Sequence, residues 1–206
     1  MAYLGTQPND VKKNTGLYTP SEILQLTKDG SWGGSLELIE EQTVSSVSSV
    51  VFTNIKESAY DVHVLQFSNI FASANSDFPV LRFSNDSGSS YETSNYQYAM
   101  QVNASQGFFG EEKSTSANAI YNILGRGGST AIYKNNSYVY LYNLGSSSKY
   151  SFATTHSMGT DDAGNFINFF GGGVYTQAET INAIQFIYTG GANISGDVKL
   201  FGVKQI

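Results

Sequence analysis

His63 and His156 are the two imidazoles of the chain, and neither stands in a pattern that does chemistry. There is no H-E-x-x-H pair for zinc, no P-loop and no G-x-S-x-G elbow. His63 lies inside the strand-like run YDVHVLQF and His156 near the end of a second such run, so each reads as a packed or surface residue. The adjacent acids Glu40 and Glu41, and Glu111 and Glu112, point to opposite faces of a strand and cannot flank one glycosidic bond as paired carboxylates must. In GTDDAGNF, Asp161, Asp162 and Asn165 offer oxygen ligands, but without the alternating spacing and distant Glu of a calcium loop. The segment reads as a turn around Gly164. The glycines of LGRGGST lack the strand-to-helix setting of a phosphate cradle. No catalytic residue, metal or organic cofactor is expected, and the chain is read as non-enzymatic.

Aromatic residues carry a different chemistry. Tyr138, Tyr140 and Tyr142 in SYVYLYN share one face of a strand, as do Tyr96 and Tyr98 in NYQYAMQVN. Such rows either stack on sugar rings or fill a core or subunit interface, because each ring buries a large area while its hydroxyl reaches a polar rim. They are the candidate glycan or subunit-interface residues.

The elements that hold these side chains follow from period. In YTPSEILQLTKDG, Thr19 is placed to cap a helix, Pro20 to occupy its first position, Glu22 to return a bond to the cap and Gly30 to end it. Ahead of it, MAYLGTQPNDVKKNTG has too few apolar residues to pack alone and reads as an arm that orders against a partner, with Tyr3, Leu4, Leu17 and Tyr18 as the attachment candidates. Trp32 stands at the junction, placed to pin arm to body. From Gly33 onward the period is two. Val44, Val47 and Val50 fall three apart, a spacing that requires a bulge or break. YDVHVLQF, apolar on both faces, predicts a central strand. SYVYLYNLGSSSKYSFATTH predicts a hairpin, and INAIQFIYTGGANISGDVKLFGVKQI predicts a second one with its last strand inside a sheet. Roughly eight to ten strands result, and the fold expected is an all-β antiparallel β-sandwich of jelly-roll type. The boundaries are 1–33 for the arm and short helix and 34–206 for the sandwich.

Composition limits the partners. The chain has 206 residues, 40% hydrophobic and only 14% charged, with a net charge of −6. Its lysines and arginines are scattered, which excludes nucleic-acid binding driven by counterion release. No run is long and apolar enough to span a bilayer, and the N-terminus has no secretory pattern, so no membrane insertion is expected. With no cysteine there is no disulfide framework.

The opening MAYLGTQP, the block GGSLELIEEQTVSSVSSVVFTNI, the stretch FGGGVYTQAETINAIQF and the ending ISGDVKLFGVKQI resemble virion structural proteins of tailed bacteriophages, especially those of marine podophages and myophages. The resemblance covers most of the chain. It implies a virion component, a head decoration, spike or tail-fibre protein, with a short anchoring N-terminus and a displayed β-rich domain on the outer surface of capsid or tail. Its partners would be capsid, portal, collar or tail proteins. Arms docked side by side on a symmetric vertex or ring would raise the local concentration of the bodies, so a homo-oligomer is expected, a trimer first. The alternative is a carbohydrate- or receptor-binding module of a fibre or spike, with a host-surface glycan as ligand.

Overall fold

Thr19 starts the one helix among the described residues, α1 (Pro20–Lys28), as a reciprocal capping box. Its N–H donates to Glu22 Oε2 at 2.6 Å, and the Glu22 N–H donates back to Thr19 Oγ1 at 3.3 Å. The Thr19 N–H, and after it the Thr19 hydroxyl, hold the Glu22 carboxyl below its usual range. The computed structural model describes residues 19–28, 36–75, 77–126 and 128–204. Tyr3, Leu4, Leu17, Tyr18, Gly30, Trp32 and Gly33 lie outside the described residues. The chain divides into two compact units, Met1–Ser35 and Leu36–Ile206.

Among its described residues the second unit is all-β, with twelve strands in two antiparallel sheets. The strands are β1 (Leu36–Val47), β2 (Val50–Phe52), β3 (Val62–Ala72), β4 (Pro79–Ser84), β5 (Tyr96–Ala104), β6 (Phe109–Ala117), β7 (Ile120–Tyr121), β8 (Asn135–Tyr142), β9 (Ser151–Thr160), β10 (Phe166–Tyr175), β11 (Ala183–Tyr188) and β12 (Ile194–Val203). The larger sheet has the order β1-β12-β3-β8-β9-β10-β5-β6, the smaller β2-β11-β4-β7. Alternation decides which side chains fill the layer between them. Leu65, Phe67, Val139, Leu141 and Phe169 come from the large sheet, and Leu81, Phe83, Ile184 and Phe186 from the small one; all are buried in one cluster. Phe67 meets Phe186 edge-on across the layer, ring centroids 4.9 Å apart.

The valine phase shift is accommodated as its spacing demands. The β1–β12 register slips between Val44 and Val47, the chain breaks at Ser48 and Ser49, and β2 leaves for the small sheet. YDVHVLQF becomes the interior strand β3, and SYVYLYN pairs with the following run as the β8–β9 hairpin. The expected closing hairpin is not formed. β11 pairs with β2 and β4, whereas β12 lies between β1 and β3 in the other sheet. The segment from Thr189 to Asn193 is therefore a crossing between layers. Alternation makes this possible: Ile184 and Phe186 face the core from one side, Val198 and Leu200 from the other.

One carboxylate secures that crossing. Asp77 Oδ1 accepts from the N–H groups of Phe78 (2.8 Å) and Gly190 (2.6 Å) and from the Thr189 hydroxyl (3.3 Å), and Oδ2 accepts from the Ala192 N–H (3.1 Å). A Cβ on Gly190 would sit against the same carboxylate, so the approach requires glycine there.

His63 is wholly buried on the inner face of β3. Nε2–H donates to the Ile55 carbonyl oxygen at 2.8 Å, which fixes the tautomer, and Nδ1 has no hydrogen-bond partner in the protein. Burial pushes its pKa below the ordinary value; the Ile55 bond and the charge of Glu57 oppose that shift without overcoming it. The unfolded chain takes up this proton near pH 6.5, above the folded pKa, so unfolding binds a proton in that window and stability falls as pH falls. Thermal unfolding between pH 7.5 and 5.5 is expected to show a falling midpoint, with a slope contribution of at most about 1.4 kcal/mol per pH unit. His63→Gln is expected to flatten it. Equal pH dependence in wild type and His63→Gln would assign the slope elsewhere.

Candidate interaction face

The small sheet covers one face of the large sheet, and no described strand of the second unit covers the other. Register sorts the outward side chains into ranks that cross the strands. The first rank runs Leu36, Val203, Val62, Tyr142, Phe152, Val174. The second runs Leu38, Phe201, Val64, Tyr140, then Thr154 and the side-chain-free Gly172. Together they make an apolar band across six strands, about 25 Å wide at the usual strand spacing. Leu36, Leu38 and Phe152 each keep between 44% and 52% of their surface exposed. A solvated sheet face normally carries polar residues at such positions.

The next rank is mixed. Lys199 pairs with Glu41 at 2.9 Å near one edge, and Glu111 pairs with Lys113 near the other; Tyr138, His156 and Phe170 lie between. The Tyr138 hydroxyl and His156 Nδ1 are 3.3 Å apart. Within this rank and the band each lysine is thus paired with a glutamate, and the carboxylate of Asp197 in the rank beyond accepts the Thr43 hydroxyl at 2.6 Å.

Beside Phe152 the sheet opens into a groove of about 770 Å³. Its floor is Ala99 and Gly172, and Gln97, Lys113, Thr154 and Phe152 stand around it. A Cβ on Gly172 would run into the Ala153 carbonyl oxygen of the neighbouring strand, so the close approach of β9 and β10 requires glycine and leaves the floor bare.

The tyrosine rows separate. Tyr138 and Tyr140 are exposed on the outward face, and Tyr142, half-buried, stacks with Tyr140 at a centroid distance of 6.4 Å. Tyr96 and Tyr98 point inward. Tyr96 has no exposed surface, and its oxygen accepts the Phe83 N–H at 2.8 Å. Burial raises its pKa strongly, the Phe83 bond opposing. Tyr98 stacks on Tyr121, centroids 5.4 Å apart, and burial raises its pKa as well.

The acidic candidates are engaged structurally. Glu111 faces outward to Lys113, while Glu112 binds Arg126 and accepts from Asn122 Nδ2 at 2.7 Å. Glu40 accepts from Gln42 and Glu41 from Lys199, on alternate faces of β1. Asp161 Oδ1 accepts the N–H groups of Ala163 and Asn165 at 2.9 and 2.8 Å, closing the β9–β10 turn with Gly164 at φ +84°. Arg126 of LGRGGST lies over the Phe78 ring, 4.3 Å from its centroid. Among the described residues no group of three or more His, Cys, Asp or Glu is placed to hold a metal ion, and no helix is long and apolar enough to cross a membrane.

Leu36, Leu38, Phe152, Phe201 and Val203 were not among the residues singled out by type and spacing. Apolar character on both faces of a run is visible in YDVHVLQF and FINFFGGGVY, which supply Val62, Val64 and Val174 to the band, and not in the runs that hold these five. No family model matches the chain, and no curated protein and no solved structure matches it.

Proposed function

We propose that the chain is a non-enzymatic structural protein of a tailed-bacteriophage particle, attached to capsid or tail through residues 1–33, with Tyr3, Leu4, Leu17 and Tyr18 as contacts, and displaying residues 34–206 as its body. The observation that carries a structural role is the outward face of the large sheet, a broad and mainly apolar contact surface. The virion assignment rests on the sequence resemblance. The repeated passage of the chain between the two sheets supports a body of jelly-roll type.

The test is quantitative mass spectrometry of purified particles of the phage that encodes the chain. The protein is expected in stoichiometric proportion to capsid or tail proteins, and a version lacking residues 1–30 is expected to fold but to be missing from particles grown without the native protein. Absence of the native protein from particles would overturn the virion assignment. Incorporation of the shortened form at normal copy number would move attachment to the sandwich. Exposed Tyr138 and Tyr140 beside His156 favour one second reading, a carbohydrate- or receptor-binding module. A glycan-array signal abolished by Tyr138→Ala would select it.

A further inference from the structure

We infer that the apolar band on the outward face of the large sheet is the surface on which a second copy of this chain packs.

Area is the first ground. The band offers roughly 500–700 Å² of surface, mostly apolar, close to the about 800 Å² per partner of a standard protein interface. Monomers rarely leave a patch of that size open. Charge is the second. The chain carries −6 overall, so two copies repel unless they meet where charge is absent or matched. The first rank of the band has no charged residue, and the second reaches one only at Lys113 on the far edge, paired with Glu111. The neighbouring rank adds Glu41 and Lys199, themselves paired.

Shape is the third ground. A two-fold interface needs a surface that complements itself. Here the rings of Tyr140 and Phe152 stand next to a groove whose floor has no side chain larger than a methyl group. Rotating one copy over the other brings rings to grooves on both sides. A glycan would be a poorer occupant of the band, because Leu36, Leu38, Val64 and Phe201 offer nothing to bond its hydroxyls. This inference stands apart from the virion assignment, since it concerns the purified chain alone.

The test is sedimentation of the full chain over a concentration series, with unfolding curves run in parallel. Wild type is expected at a multiple of 22.3 kDa. Phe152→Glu and Tyr140→Asp each place an unpaired charge in the band and are expected to raise the apparent dissociation constant about tenfold or more. Phe109→Glu, also outward and exposed but outside the band, is expected to leave the mass unchanged. Should a band variant fail to fold, radical footprinting of wild type decides, with Tyr140 and Phe152 expected to become protected as concentration rises while Phe109 does not. A wild type that stays monomeric at its highest soluble concentration, or a mass altered by Phe109→Glu and not by the folded band variants, overturns the inference. So does footprinting without protection of the band.

Discussion

A chain ended at Gly196 is expected to lose cooperative unfolding altogether. The deletion removes most of β12, which lies between β1 and β3. Two of its side chains, Val198 and Leu200, have no exposed surface, and each such burial contributes about 1.5–3 kcal/mol. The larger loss is indirect. β1 sits at the sheet's edge with β12 beside it, so it is released, and the backbone of β3 becomes an open edge next to uncovered core. Against a total stability of about 5–15 kcal/mol for a domain, losing two strands from one sheet leaves no folded state to melt. Calorimetry of the truncated chain should show no sharp endotherm, and binding of a hydrophobic dye should rise at room temperature. A sharp transition near the parent midpoint would show that the remaining strands close the sandwich unaided.

Asp77→Ala is expected to be the most damaging single substitution of a polar residue, at about 2–4 kcal/mol. The carboxylate accepts backbone N–H groups from Phe78, Gly190 and Ala192, and the residue is 8% exposed. Alanine leaves those donors without their acceptor, and hydrogen bonds to a charged group contribute about 1.5–3 kcal/mol each before water replaces part of the loss. For a domain of this size the thermal midpoint should fall by about 6–12 °C. Asp77→Asn keeps one acceptor oxygen and should fall between alanine and wild type. Differential scanning fluorimetry of the three proteins measures this directly. A midpoint unchanged in the alanine variant would mean that the crossing from β11 to β12 is held by strand pairing alone.

Features set by near neighbours in the chain were legible in the sequence. The capping box at Thr19 and Glu22 needs four residues, and the turn at Asp161 needs five. The break after Val47 follows from a spacing that alternation cannot carry. What was not legible depends on partners far away. Tyr96 and Tyr138 stand in equally regular tyrosine alternations, yet one is core and the other surface, because the small sheet covers only one face of the large sheet. The runs ending at Tyr188 and starting at Ile194 look like a hairpin locally, and only the competing pairings with β2, β4, β1 and β3 draw them into different sheets. The outward band is invisible in any one strand, since it exists only once the strands take their register.

The pairing of Leu36 with Val203 spans nearly the whole second unit. Bringing such distant segments together must meet the entropy of closing a very long loop before any contact rewards it, which makes folding slow. A growing chain therefore carries β1, with Leu36, Leu38 and Ile39, unpaired while the ten strands before β12 are made. During that interval the segment is an exposed edge able to pair with another nascent copy, and refolding from denaturant should lose yield steeply as protein concentration rises. Time to the native state, more than its final stability, is where this topology is most exposed to failure.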